Sequence, residues 1–123
     1  MEKAKAKLNT FLRYWQKQNY KGCYNICQKT WKKNHSLREF KALFANVILS
    51  AYDIISQTQT GACATFNCLL TVNNKSYQNK INVIAEKKAY KPDPKGEYGV
   101  NPISAIIKHE LSDDIRKQII GKL

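Results

Sequence analysis

The chain has 123 residues, of which 43% are hydrophobic and 11% aromatic, a composition that excludes a disordered or low-complexity protein. Lysine and arginine outnumber aspartate and glutamate by 21 to 9, which gives a net charge of +12. The length is typical of one domain, so residues 1–123 are expected to fold as a single unit.

No apolar run approaches the ~20 residues that a membrane-spanning helix needs, so no membrane span is expected. The N-terminus also lacks the apolar stretch of a signal peptide. As the sequence stands we expect a cytoplasmic protein, or a protein of the cell envelope if an export signal has been removed.

The N-terminal part of the chain predicts three helices, together covering about residues 3–46. Asn19 is expected to cap the second helix, because its side chain can accept a hydrogen bond from a free backbone amide. The apolar stripe that follows continues to Trp31, which predicts one uninterrupted helix. Ser36 and Glu39 form a capping box and predict the start of the third helix. The first helix is predicted by apolar residues spaced three and four apart: Leu8, Phe11, Leu12 and Trp15.

Residues from about 48 to 101 predict an antiparallel sheet. Apolar and polar residues alternate over 62–72, and again with Tyr77, Ile81, Val83 and Ala85 over 76–88. Asn73-Asn74 between them predicts a tight turn, because asparagine tolerates positive φ. A strand before this hairpin and a short strand at Glu97–Val100 complete the sheet.

Ser112 is expected to cap a last helix over about 112–121. Helices grouped before strands favour an α+β fold, in which the N-terminal helices pack on one face of a curved antiparallel sheet.

Four cysteines raise the question of a metal site or a disulfide. Cys23 and Cys27 share a face if they lie on a helix, whereas Cys63 and Cys68 point to opposite faces of a strand. The four cannot easily converge on one ion, so we expect packing thiols and no metal or other cofactor. One disulfide is the alternative.

The positive charge is concentrated at the N-terminus, since residues 1–33 carry nine basic residues and one acidic residue. Such a segment can bind phosphates or an anionic surface. Lysines outnumber arginines by 18 to 3, however, and base readout favours arginine. We therefore expect a solvated face and no nucleic-acid partner, with a lysine-driven binder of anionic surfaces as an alternative.

An acid–base enzyme needs a carboxylate or histidine inside an apolar cavity. Asp53 is the weak candidate for a catalytic base, although the alternation of its strand favours an outward orientation. His35 is expected in a solvated loop and His109 in an exposed charged segment. Four tyrosines are candidates for lining a ligand pocket, with core filling as the alternative: Tyr14, Tyr24, Tyr52 and Tyr77.

Three segments resemble the nuclear transport factor 2-like superfamily. The aromatic Phe11–Trp15 followed by Asn19-Tyr20 is similar to its opening, and the paired strands at 62–72 and 81–85 resemble its central hairpin. Tyr98–Ser104 is similar to an ending in which a short strand runs into Asn-Pro. Within this superfamily the chain most resembles the small bacterial transpeptidase-like accessory domains.

This resemblance implies a cone of helices wrapped by a curved sheet, frequently dimeric through the sheet face. The chain lacks the Ser-x-x-Lys motif of a penicillin-binding active site, so transpeptidase activity is not expected. The resemblance implies a non-catalytic binding or assembly module, whose partner is an unidentified protein or a small apolar ligand. The alternative is an isomerase- or cyclase-like enzyme with Asp53 as base and a tyrosine as proton donor.

Overall fold

A computed structural model describes residues 2–106 of the chain. Four helices precede a five-stranded antiparallel sheet and a short helix follows it, which confirms the α+β class. His109 lies outside the described residues, as does the helix that is expected over 112–121. The helices are α1 (Glu2–Gln16), α2 (Tyr20–Asn25), α3 (Lys29–Asn34), α4 (Leu37–Phe44) and α5 (Pro102–Ile106). The strands are β1 (Leu49–Thr60), β2 (Cys63–Val72), β3 (Lys75–Lys88), β4 (Lys91–Pro92) and β5 (Glu97–Val100).

The sheet is built around the β2–β3 hairpin. Strands β1 to β4 lie in sequence order, and β5 also pairs with β3. Asn73 (φ 50°) and Asn74 (φ 68°) form the hairpin turn in the left-handed backbone region that asparagine tolerates. The predicted alternation of β2 is confirmed, since its inward side chains are all buried against the helices: Ala64, Phe66, Cys68, Leu70 and Val72.

An aromatic cluster joins the helices to this inner face. The rings of Phe40 and Phe44 stack with centroids 4.3 Å apart, and Phe11 meets both rings edge-on. Trp15 packs against Phe44 and donates its indole N–H to the carbonyl oxygen of Val47 at 2.8 Å. This bond ties the end of α1 to the chain just before β1.

The second helix does not continue to Trp31, so that prediction is wrong. It ends at Asn25, and α3 begins separately at Lys29. Between them the Gln28 amide donates to the Val100 carbonyl oxygen (3.0 Å), and the Val100 amide donates to the Ile26 carbonyl oxygen (2.9 Å). These bonds end α2 and pair the segment at residues 26–28 with the edge of β5.

The helix caps predicted at Asn19 and Ser36 are confirmed, whereas Ser112 lies outside the described residues. The Asn19 side chain accepts from the Gly22 amide at 3.0 Å, and the Ser36 hydroxyl accepts from the Glu39 amide at 3.1 Å. The expectation of a solvated His35 is wrong, because it is 9% exposed. Its ring stacks on Trp31 with centroids 4.4 Å apart, and its Nδ1 lies 3.0 Å from a carboxylate oxygen of Glu39.

Phe66 lies at the centre of the sheet with no solvent exposure. Phe66→Ala is expected to lower the free energy of unfolding by about 3–5 kcal/mol, through lost burial and the cavity left behind. Its exposed cross-strand neighbour Gln57 is the matched control, and Gln57→Ala is expected to change stability by less than about 0.5 kcal/mol. Equal effects of the two substitutions in chemical denaturation would contradict this assignment of the core.

Gly99 permits the contact between β5 and the segment before α3. A Cβ atom added there would lie 2.4 Å from the Gln28 Cα, closer than atoms can approach. Gly99→Ala is therefore expected to lower the free energy of unfolding by about 1–3 kcal/mol, the usual cost of overpacking. An unchanged denaturation midpoint would show that the two backbones are not in close contact.

Candidate functional site

Two of the predicted pocket tyrosines flank one leucine on the inner face of the sheet. Leu70 pairs with Tyr52 on one side and with Tyr77 on the other. The Tyr77 hydroxyl is buried without a hydrogen-bond partner among the residues that the structure describes, and burial raises the pKa of Tyr77 to about 12. The phenol therefore stays protonated at neutral pH and can donate one hydrogen bond.

The other two predicted pocket tyrosines lie on the helices. The Tyr14 ring covers Gly22, where an added Cβ would come within 2.7 Å of it. The Tyr24 hydroxyl donates to the carbonyl oxygen of His35 at 2.7 Å, so it is used to join α2 to the end of α3. Only Tyr52 and Tyr77 of the four share a row of the sheet.

Asp53 is exposed on the outer face, the face turned away from the helices. It pairs with Leu69, whereas its neighbour Tyr52 points to the inner face. The structure therefore does not bring this carboxylate together with a tyrosine hydroxyl in the way a base and proton donor require.

All four cysteines are free thiols. Burial raises the pKa of Cys23 to about 12, and burial, assisted by the charge of Asp53, does the same for Cys68. Burial also raises the pKa of Cys27. Protonated buried thiols are poor nucleophiles and poor ligands, so these three act as small core residues. Cys63 is half-buried at the start of β2.

The outer face of the first three strands is a continuous surface with little charge. Its apolar centre is Leu69, which is 41% exposed. Of the described residues that form this face up to Ile84, Asp53 and Lys80 carry its charges. By strand alternation and register the outer face consists of Ala51, Asp53, Ser56, Thr58, Thr60, Cys63, Thr65, Asn67, Leu69, Thr71, Ser76, Gln78, Lys80, Asn82 and Ile84.

Hydrogen bonds between side chains hold parts of this face in place. The Thr65 hydroxyl donates to Asn82 at 3.0 Å, and the hydroxyls of Thr71 and Ser76 lie 2.8 Å apart. A bulge in β1 between Ile54 and Ser56 adds the half-exposed Ile55. The result is a fixed surface of hydroxyl, amide and aliphatic groups.

A second polar arrangement, which the sequence pattern did not reveal, lies at the far end of β3. Alternation predicts an outward Glu86, but Glu86 is only 2% exposed. Its carboxylate accepts a hydrogen bond from the Thr30 amide at 3.1 Å and another from the Thr30 hydroxyl. Gln28, at the N-cap of α3, provides no side-chain cap, so Glu86 caps this helix from the sheet.

Within residues 2–106, no three histidine, cysteine, aspartate or glutamate side chains are grouped as metal ligands would be. None of the helices in that range is both long and apolar enough to cross a membrane. Comparison of the chain with models of protein families, with curated proteins and with solved structures gave no match.

Proposed function

We propose that this protein is a non-catalytic binding and assembly module that pairs with a second copy of itself through the outer face. The observation that carries this proposal is the contrast between a nearly uncharged outer face and a protein with a net charge of +12. Interfaces are depleted of charged side chains at their centre. The exposed Leu69 occupies that position here.

Net charge argues for this face over the others. Two copies of a strongly basic protein repel each other, and the repulsion falls with the distance between their charges. The lysines of α1 to α4 lie on the helical side of the sheet or at its ends. Contact through the outer faces keeps these groups far apart, whereas contact through the helices brings them together.

The two charges on the outer face are placed so that two copies can complement each other. A two-fold axis parallel to β2 sets β1 of one copy against β3 of the other. Asp53 is level with Gln78, and Lys80 lies two residues, about 7 Å, further along β3. A lysine side chain can span that offset, so the arrangement gives two Asp53–Lys80 contacts related by symmetry.

The expected association is weak and depends on concentration. The outer face measures about 30 Å along β2 and about 15 Å across three strands, from standard strand dimensions. This lies at the small end of specific protein interfaces. We therefore expect an exchange between monomer and dimer rather than a permanent dimer.

We also propose that the fold is of the nuclear transport factor 2-like type. The proposal is supported by helices packed on one face of an antiparallel sheet, by the Asn19 cap of α2, and by the passage from β5 through Asn101-Pro102 into α5. Binding modules and enzymes both use that architecture, so the functional proposal rests on the outer face alone.

Sedimentation velocity tests this proposal at protein concentrations between about 1 µM and 1 mM, the range in which weak complexes dissociate. Wild type is expected to shift from monomer to dimer. Asp53→Lys and Lys80→Asp are each expected to weaken the dimer at least about tenfold, because like charges then meet. The double variant is expected to restore association, because the acidic and the basic side chain have then exchanged positions and still attract each other.

Leu69→Lys is expected to abolish the dimer by placing a charge at the centre of the contact. Ala42→Lys is the matched control, because it adds the same charge to the exposed side of α4. A wild type that stays monomeric throughout, or a double reversal no better than either single one, would refute self-association through this face.

A further inference from the structure

An exposed tyrosine beside α3 has lysines close to it in the chain and a lysine of α3 over its ring. We call it the Tyr90 cluster: Tyr90 with Lys29, Lys33, Lys87, Lys88 and Lys91. Tyr90 is 56% exposed, in the turn between β3 and β4. The Lys33 ammonium lies 5.6 Å from the centre of its ring, and the Lys29 ammonium donates to the Lys87 carbonyl oxygen at 3.4 Å.

The ring of Tyr90 is held in place at both ends of the residue. Its backbone amide donates to the Thr30 hydroxyl oxygen at 2.8 Å, and its phenol oxygen accepts from the Asn34 side chain at 2.6 Å. The backbone has φ 64°, a left-handed conformation that is costly for a bulky residue. The same Thr30 hydroxyl donates to Glu86, so these bonds connect the turn to α3 while Tyr90 is exposed.

No carboxylate of the described residues 2–106 neutralises the positive charge of the cluster. Among the described residues, none of its five lysines forms an ion pair with a carboxylate. Lys88 and Lys91 are directly opposite each other across the strands, a placement of like charges that destabilises a hairpin. The nearby Glu86 is engaged with Thr30, so a bound anion is what would relieve this repulsion.

We propose that the Tyr90 cluster binds single-stranded nucleic acid without sequence preference. Non-specific single-strand binders combine lysines that follow the phosphates with an aromatic side chain on which a base stacks. The cluster supplies both, and its lysines suit phosphate contact rather than base readout. An anionic membrane is a weaker fit, since the exposed apolar residues Ile48, Ile55 and Leu69 lie outside the cluster, just before β1, in β1 and in β2.

The expectation of no nucleic-acid partner rests on the excess of lysine over arginine, which disfavours base readout but not contact with phosphates. The fold brings together lysines of α3 and lysines of the β3–β4 turn, which are more than fifty residues apart in the chain. Their proximity depends on the contact between Thr30 and Glu86, which no spacing in the sequence indicates.

Fluorescence anisotropy with a labelled oligo-dT of about 12 nucleotides, within the usual site size, tests the proposal. The triple variant Lys33→Gln, Lys88→Gln, Lys91→Gln is expected to weaken binding at least about tenfold at low salt. The slope of the logarithm of the binding constant against the logarithm of the salt concentration is expected to become shallower by about 2, since each phosphate contact with a single strand contributes about 0.7. The matched control Lys17→Gln, Lys21→Gln, Lys41→Gln removes the same charge from exposed positions outside the cluster and is expected to weaken binding by less than about twofold.

The ring is tested separately from the charge. Tyr90→Asn removes it with a residue that tolerates the left-handed backbone, and is expected to weaken binding about tenfold. Tyr90→Phe keeps the ring and is expected to bind like wild type. Equal losses in the two lysine triples, or no loss in Tyr90→Asn with its circular dichroism unchanged, would overturn the proposal. Tighter binding to phosphatidylserine vesicles than to the oligonucleotide, with the same loss in the cluster triple, would reassign the cluster to a membrane surface.

Discussion

Two backbone hydrogen bonds between Val100 and the chain at Ile26 and Gln28 determine how the helices meet the sheet. They form a parallel bridge at Cys27, which interrupts a segment whose apolar spacing would otherwise support one helix. After the interruption α3 begins as a separate helix at Lys29, and Glu86 from β3 caps its first turn. Gly99 makes this possible, because no side chain fits between the two backbones.

The two proposed surfaces follow from this arrangement and differ in chemistry. Within residues 2–106 the helices pack on the inner face of the sheet, whereas hydroxyl and amide groups surround Leu69 on the outer face. The position of α3 places Lys29 and Lys33 against the end of β3 and the β3–β4 turn, which forms the Tyr90 cluster. One surface is nearly neutral and suits a second copy, while the other is basic and suits a polyanion. Because they lie apart, self-association and anion binding need not compete.

Features that depend on neighbouring residues could be predicted from the sequence, whereas features that depend on distant contacts could not. The alternation around Phe66, the turn at Asn73-Asn74 and the cap at Ser36 arise from side chains within a few residues of one another. The end of α2 and the burial of Glu86 result from contacts more than fifty residues away in sequence. Strand alternation predicts from the sequence that Asp53 points outward. That Lys80 lies two residues beyond the position level with Asp53 depends on the register of three strands, which the sequence does not reveal.

The bridge between β5 and the segment before α3 is an integral part of the fold. Amide hydrogen exchange followed by NMR tests it most directly, because exchange reports the free energy of opening at each hydrogen bond. We expect the Gln28 and Val100 amides to exchange as slowly as the amides of Ile81 and Val83 in β3, through global unfolding. Exchange of Gln28 and Val100 at the fast rate typical of frayed ends and surface turns would contradict the account.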